Sequence, residues 1–333
     1  MEKLLAALIV PLLVAAALVS LALPHAAFQG ETFVMVPRGT SSFAIGRMLA
    51  EAGVIRYRWQ FWLARLLRPT ARLQAGEYRF DRPASTWEVF DRLVRGDVFY
   101  YELTVPEGSN MFEIAAALER LGVVGSDEFL KEARQPAMIR DLAPRAPTLE
   151  GYLFPDTYRI TRNTTAREIC RQMTARFRQV WRALNTPADV HETVTLASLI
   201  EKETAIPEER PLVASVFLNR LRLGMPLACD PTVIYAALLE ERYRGALYRS
   251  DLESEQPYNT YRRPGLPPGP IANPGVEAIR AAINPARTDY LYFVAIPDGS
   301  GRHQFSTDLA SHQRAVARYR RGQKANQRPR PPG

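Results

Sequence analysis

The chain has 333 residues, of which 47% are hydrophobic and 23% are charged, and its formal net charge is +8. This balance is that of an ordinary globular protein with room for about two domains. The basic excess suggests an anionic partner, such as a membrane surface or an acidic polymer. We identify no nucleic-acid-binding pattern and therefore expect no nucleic acid partner.

Residues 4–23 form an apolar run of about the length that spans a bilayer as a helix. We predict an uncleaved transmembrane anchor over residues 1–24. The alternative is a cleaved signal peptide with a small-residue site near Ala26, but a secretory apolar core is usually shorter. The very short N-terminus predicts that it stays in the cytoplasm and that the bulk of the chain lies outside.

The segment after the anchor alternates between strand and helix patterns. The predicted elements are, in chain order, a strand at 32–36, helices over 41–52 and 59–67, a strand at 76–80 and a helix over 86–94. Together they predict a small α+β module at residues 31–98.

A repeat links this module to the next part of the chain. Residues 36–55 align without gaps with residues 105–124, and both copies have the pattern of a strand, a turn and a capped amphipathic helix. Two copies do not make a solenoid. We therefore predict that residues 99–146 are a second copy leading into another domain.

A loop-like stretch near residues 144–147 predicts a boundary, followed by a mostly helical domain with a short sheet over residues 147–320. Its predicted elements are helices over 165–184, 193–204, 207–223, 232–241 and 276–284, a strand over 290–296 and a last helix through 319. A Pro- and Gly-rich loop at 258–275 has the length of a functional loop. The basic tail, 321–333, is predicted to be disordered.

One helix carries the main chemical signal. Leu196, Leu199, Ile200 and Glu203 share one face, so a carboxylate closes an apolar stripe. Apolar surroundings raise the pKa of a Glu, which can then act as a general acid near neutral pH. The alternative is a helix end whose acids are solvated. Glu201, on another face, is the second candidate for the acid. Its alternative role is structural, in a salt bridge on the solvent side.

The sequence lacks the common motifs of several other enzyme classes. It contains no nucleotide-binding loop, no HExxH and no GxSxG motif. Cys170 and Cys229 lack metal-ligand spacing and could be buried thiols or a disulfide. We predict no metal and no cofactor. What remains is carboxylate chemistry among Asn, Thr and Tyr, which is typical of enzymes that act on sugar polymers.

Several segments, in the same order along the chain, resemble those of the YceG-like family. These segments are residues 150–158, 196–204, 216–221, 230–235, 258–261, 265–269 and 305–312. The resemblance runs from the predicted anchor to about residue 320. Cys229 departs from it, because the family more often has Ser before the Asp230–Pro231 pair.

The resemblance implies a single-pass protein of the bacterial inner membrane, with a LysM-like module at 31–98 and a periplasmic catalytic domain. It implies a lyase that cleaves nascent peptidoglycan glycan strands within the chain, leaves 1,6-anhydro-N-acetylmuramic acid ends and terminates strand elongation. Its implied partners are the glycan strands, peptidoglycan synthases and the division or elongation machinery.

The resemblance also assigns the acid to Glu203, the residue selected by the helical face. Candidates for substrate binding are polar residues of the same domain, namely Asn219, Asp230, Thr232, Tyr235, Asn259, Tyr261 and Gln304. Each has a structural alternative as well: Asn219 could brace two helices, Asp230 could cap a helix, and the tyrosines could be core residues with a bonded hydroxyl.

Two other functions remain open from the sequence. The first is a noncatalytic peptidoglycan-binding scaffold of the wall-synthesis machinery, which has no need of an acid on an apolar helical face. The second is a hydrolase, which needs a second carboxylate beside the bond, and Asp230 is the one candidate that we offer for it.

Overall fold

The computed structural model describes residues 2–326, with side chains for residues 9–323. The fold is α+β and mostly helical, as predicted, and it contains three two-stranded sheets among the described residues. The chain divides into two compact units, one ending at Tyr101 and the other beginning at Glu102.

The first unit opens with helix α1, Glu2–Ala22. Near its end, Leu21 is fully buried, and Gln60 donates a hydrogen bond of 3.0 Å from Nε2 to the Ser20 carbonyl. Within residues 2–326, none of the helices combines the length and the apolarity that crossing a membrane requires. The expected membrane-spanning helix is therefore not confirmed.

The rest of the first unit follows the predicted order of elements. It contains β1 (Thr32–Val36), α2 (Ser42–Glu51), α3 (Arg58–Leu67), β2 (Gly76–Phe80) and α4 (Thr86–Arg95). Strands β1 and β2 pair antiparallel, with Val34 opposite Tyr78. Their inward side chains pack with one face of each helix into a single core, because residues alternate across a strand and recur every three or four positions on a helix.

The second copy of the repeat forms β3 (Tyr101–Thr104), whose first residue is the last of the first unit, and α5 (Met111–Arg120). The further helices of the second unit are α6 (Ser126–Ala133), α7 (Ala166–Leu184), α8 (Val190–Glu203), α9 (Arg210–Arg222), α10 (Asp230–Leu239), α11 (Arg249–Leu252), α12 (Val276–Ile283) and α13 (Leu309–Asn326), with short 3-10 turns at Pro136–Met138 and Pro207–Glu209. Strand β4 (Thr157–Ile160) pairs with β3, and β5 (Tyr292–Ala295) pairs antiparallel with β6 (His303–Ser306).

The end of the chain differs from the predicted disordered tail over part of its length. Residues 321–326 continue helix α13. The remaining residues of that tail, 327–333, lie outside the described residues.

Helix α8 lies at the centre of the second unit, where it packs against α9, α10 and α12. Val194, Ala197, Ser198, Leu199 and Ile200 are all fully buried. A helix buried on every side must satisfy its few polar groups internally. The Ser198 hydroxyl does so by donating to a carbonyl of its own helix and accepting from the backbone N–H of Ile271 at 3.1 Å.

A close approach beside this helix generates a prediction about stability. Gly151 has φ +87°, and a methyl group there would overlap Pro270 and come within 2.9 Å of Val194. We expect Gly151→Ala to lower the free energy of unfolding by about 2–4 kcal/mol, because left-handed backbone strain and overpacking add together. Urea denaturation measures this change.

Gly122→Ala is the matched control, since Gly122 has φ +67° and open space around the added methyl. This variant carries the backbone strain alone, about 1–2 kcal/mol. Equal losses in the two variants would show that the contact with Pro270 and Val194 does not matter.

Candidate active site

Helix α8 places Glu203 at the edge of the core. The Asp189 side chain accepts a hydrogen bond from the Glu192 N–H and caps the start of the helix. The helix ends at Glu203 because Thr204 adopts an extended conformation with φ −143°. Glu203 is half-buried, whereas Leu199 and Ile200, one turn earlier, are fully buried.

The carboxyl of Glu203 lies in surroundings that favour its protonated form. Burial is the main cause that raises its pKa, and the neighbouring charge of Asp230 raises it further. A hydrogen bond from the Cys229 thiol, and the charges of His303 and Arg220, act in the opposite direction. The net direction is upward, as the helical face predicts for a general acid.

The two oxygens of this carboxyl have different surroundings. Oε1 accepts from Sγ of Cys229 at 2.9 Å. Oε2 accepts no hydrogen bond from residues 9–323. It is also not fully buried, since it is absent from the buried polar atoms without a partner. Oε2 is therefore the oxygen that is open to a ligand.

Residues from three further segments surround Glu203. Asp230, at the start of α10, is exposed and accepts a hydrogen bond of 2.6 Å from the Tyr261 hydroxyl. Arg220 of α9 donates to the carbonyls of Leu291 and Leu227 at 2.7 and 2.8 Å, which fixes its guanidinium. The structure thus brings two of the predicted residues, Asp230 and Tyr261, to Glu203.

Three other predicted residues use their polar atoms on the protein itself. The amide of Asn219 donates to the Thr288 and Tyr290 carbonyls at 2.8 and 2.9 Å. Thr232 is fully buried and donates to the Cys229 carbonyl at 2.6 Å. Asn259, also fully buried, donates to backbone carbonyls such as that of Ser254 at 2.7 Å. Thr232 and Asn259 thus brace the segments that carry Cys229 and Tyr261, whereas Asn219 holds the segment before β5.

The last two predicted residues lie in different surroundings. The buried phenol of Tyr235 lies beside Glu150, and burial together with that carboxyl raises the pKa of the phenol well above its usual value. Gln304 is exposed on β6 and donates weakly to the Phe305 carbonyl at 3.4 Å.

Glu201 is held in a buried ion pair. Its Oε1 accepts from Arg210 at 3.0 Å, and its Oε2 accepts from the Gly275 N–H at 2.9 Å. The Glu201 and Arg210 side chains are only 6% and 11% exposed, so the salt bridge lies inside the protein and not on the solvent side. Both carboxyl oxygens are occupied, which leaves Glu203 as the accessible acid of the pair.

The sequence did not predict a pair formed by an acid and a histidine, Glu209 and His303, near Glu203. Glu209 accepts from the backbone N–H of His303 at 2.9 Å and lies 2.7 Å from its Nδ1. Thr204 directly follows Glu203, and its hydroxyl lies 3.5 Å from the carboxyl of Glu209. Because Glu209 and His303 are 94 positions apart, no local pattern in the sequence could have linked them.

A second buried carboxyl, that of Glu150, lies deeper in the unit. It accepts from the Met111 N–H at 2.9 Å and from the Asn273 amide at 2.8 Å. Burial raises its pKa to about 8. Both of its oxygens are committed to these donors, so this group joins three segments of the fold.

Space for an extended ligand lies next to α8. A cavity of about 510 Å³ is lined by Lys202 and Pro231 and by the aromatic rings of Phe112 and Tyr243. Lys202 and Pro231 are sequence neighbours of Glu203 and Asp230, but Glu203 itself is not among the lining residues. Among the described residues, no group of His, Cys, Asp and Glu side chains could hold a metal ion. Both cysteines are free and buried.

The fold and the site together define an enzyme-like α+β protein in which a carboxyl of raised pKa lies at the end of a buried helix. The sequence profile of the YceG-like family matches residues 34–318. The chain belongs to this family.

Relatives with established names cover most of the chain. The endolytic murein transglycosylase of Bacillus subtilis (strain 168) is 33% identical over 307 residues, which are 86% of this chain and 84% of the relative. The endolytic murein transglycosylase of Streptococcus pneumoniae serotype 2 is 30% identical over 321 residues, which are 86% of this chain and 58% of the relative. A crystal structure of a YceG-like protein from Listeria monocytogenes is 32% identical, with a TM-score of 0.54, and the match covers 85% of this chain and 98% of that one.

The contact between Cys229 and Glu203 generates a prediction about the acid itself. The thiol donates to the ionised carboxylate and stabilises it, so Cys229→Ala should raise the pKa of Glu203 further. Cys229→Ser keeps a donor and should prevent that rise. A pH titration of the ¹³C-labelled Glu203 carboxyl by NMR measures both variants.

Cys170→Ala serves as the control, since Cys170 is buried in α7 and has no bond to Glu203. The carboxyl should titrate as in the wild type in this variant. A Glu203 pKa that stays constant or falls in Cys229→Ala would show that the thiol does not hold the carboxylate.

Proposed function

We propose that this protein is an endolytic murein transglycosylase, a lyase that cleaves the glycan strands of peptidoglycan within the chain. The observation that carries the proposal is the half-buried carboxyl of Glu203, with its raised pKa and one open oxygen. The names of the relatives from Bacillus subtilis and Streptococcus pneumoniae support it.

In the proposed first step, protonated Glu203 donates its proton to the glycosidic oxygen. The bond between that oxygen and the anomeric carbon breaks, and the sugar develops oxocarbenium character. General acid help of this kind contributes roughly 10²- to 10⁴-fold to the rate. The raised pKa matters because it keeps the acid form present at higher pH than an exposed Glu would allow.

In the second step, the 6-hydroxyl of the muramic acid attacks its own anomeric carbon. Glu203, now ionised, accepts the proton of that hydroxyl, so the same carboxyl acts as acid and then as base. The product end is a 1,6-anhydro-N-acetylmuramic acid. Since no water attacks, this reaction needs no second carboxylate on the opposite face of the sugar.

The surrounding residues suit the positioning of a sugar polymer. We propose that Asp230 and Tyr261, which hydrogen-bond to each other beside Glu203, contact the substrate, and that exposed Gln304 contributes to binding. Four other residues would position the site indirectly by fixing its backbone, namely Asn219, Thr232, Tyr235 and Asn259. Holding the reacting atoms in line supplies the part of the rate that acid–base help does not.

Two finer parts of the proposal concern the flanking regions. We propose that residues 31–98 form a LysM-like module, for which the strand–helix–helix–strand order of β1, α2, α3 and β2 is suitable. We also propose that residues 147–320 form the catalytic domain and that cleavage terminates the growth of nascent strands in the cell envelope. Peptidoglycan synthases and the division or elongation machinery stay predicted partners.

A noncatalytic scaffold is the alternative. Glu203 argues against it, because a binding protein gains nothing from a desolvated carboxyl with an open oxygen. A hydrolase would need Asp230 as its second carboxylate, and the chemical form of the product end distinguishes it from the lyase.

The deciding experiment compares the products that the wild type and Glu203→Gln release from purified peptidoglycan, by mass spectrometry. We expect anhydro-ended fragments from the wild type and a loss of at least about 10²-fold in the variant. The wild-type rate should fall as the pH rises through the raised pKa of Glu203, because only the protonated form donates. The variant should still sediment with peptidoglycan, which tests binding separately.

Each other outcome has a distinct meaning. Reducing ends would indicate a hydrolase and contradict the single-carboxyl mechanism. Sedimentation without cleavage by the wild type, on nascent as well as mature strands, would favour the scaffold. The thermal midpoint of Glu203→Gln should not fall, since the substitution removes a desolvated charge, and a large fall would show misfolding instead of lost chemistry.

Membrane anchoring through residues 4–23 stays a prediction with its own test. If the anchor is present, the protein should remain in the membrane pellet when cells are extracted with alkaline carbonate. Release into the supernatant would contradict it.

A further inference from the structure

Helix α3 in the first unit has two apolar faces, and only one of them is covered. Gln60, Phe61 and Ala64 are buried against the core. The remaining surface of the helix, with the residue before it, carries large apolar side chains that are 42% to 58% exposed, namely Tyr57, Trp59, Trp62, Leu66 and Leu67. We call this set the outer face of α3. Contiguous exposed apolar surface of this kind usually marks an interaction site.

The sequence segment that contains the outer face is basic. The segment from residue 56 to residue 72 contains five arginines and no Asp or Glu, the arginines being Arg56, Arg58, Arg65, Arg68 and Arg72. Arg68 is paired with Asp91, and the guanidinium of Arg58 lies over the Phe43 ring at 5.6 Å. Within residues 9–323, Arg56, Arg58 and Arg72 have no ion pair with a carboxylate.

This combination of side chains matches one environment closely. Trp and Tyr favour the boundary between headgroups and acyl chains, where their rings are apolar and their polar atoms stay hydrated. Leucines enter the acyl region, and arginines extend to the phosphates of anionic lipids. A helix with apolar and basic residues together is the usual form of a membrane-surface helix.

Other occupants fit less well. In a dimer formed through this face, the arginines of two copies would face each other and repel. A glycan strand could stack on Trp59 and Trp62 but would leave Leu66 and Leu67 exposed, because sugars stack on rings and not on leucines. A nucleic acid would likewise pair with the arginines and leave both leucines in water.

We propose that the outer face of α3 docks on the surface of an anionic lipid bilayer. Its apolar side chains enter the boundary between headgroups and acyl chains, and Arg56, Arg58 and Arg72 contact lipid phosphates. The first unit would then lie flat against the bilayer through a folded helix. This docking does not depend on the proposed catalytic activity or on a spanning segment.

The four tryptophans of the chain allow a direct test on the full-length protein. Trp59 and Trp62 lie on the outer face, whereas Trp87 belongs to the core side of the first unit and Trp181 is 7% exposed in the second. The variant W87F/W181F leaves the two outer-face tryptophans as emitters, and W59F/W62F leaves the other two as a matched control. Both are mixed with phosphatidylglycerol–phosphatidylcholine vesicles whose acyl chains carry bromine, a contact quencher.

We expect the fluorescence of W87F/W181F to fall roughly twofold or more, because an interfacial face lies about 5–10 Å into the headgroup–acyl boundary. The fluorescence of W59F/W62F should change little. The quenching should weaken in vesicles without phosphatidylglycerol, and also in W87F/W181F that carries R56Q/R58Q/R72Q in addition.

Several results would overturn the proposal. One is vesicle-bound protein, shown by co-sedimentation, whose outer-face tryptophans are not quenched. Equal quenching of both tryptophan pairs would indicate general insertion of the chain, and absence of vesicle binding would exclude docking. Quenching that is equally strong without anionic lipid and without the three arginines would remove the electrostatic part of the recognition.

Discussion

The burial of α8 from Thr193 to Ile200 is the constraint on which the second unit depends. A helix that is enclosed on every side over such a stretch can expose a functional group only near where it ends. Glu203 is that last residue, and the extended backbone of Thr204 stops the helix there. The carboxyl therefore has dry surroundings on one side and an open oxygen on the other, which is the combination that an acid catalyst requires.

The neighbours of Glu203 come from parts of the chain that are far apart, and each is fixed by bonds to the backbone. Arg220 is held by two carbonyls, and Cys229 is held through Thr232 and the loop around Asn259. Such support keeps a site rigid without using the groups that face the ligand. Several polar residues that look like substrate contacts in the sequence are thereby bonded to the protein itself.

Local patterns in the sequence predicted the elements well and the site in part. The apolar period of α8 selected Glu203, and alternation located β1 and β2, because these signals extend over a few neighbouring residues. The ion pair of Glu201 with Arg210 and the contact of Glu209 with His303 were not predictable, since tertiary packing alone brings these groups together. The outer face of α3 was also missed, because its apolar residues surround the helix and the sequence does not show which of them the core covers.

The bonds of Glu150 have a consequence for how the second unit assembles. This buried carboxyl joins Met111, 39 positions away, to Asn273, 123 positions away. Closing loops of that length costs chain entropy before the bonds can form, so we expect these contacts to be made late in folding. The long loop that ends near Asn273 also carries Tyr261, so we expect the surroundings of Glu203 to be completed only after most of the unit has assembled.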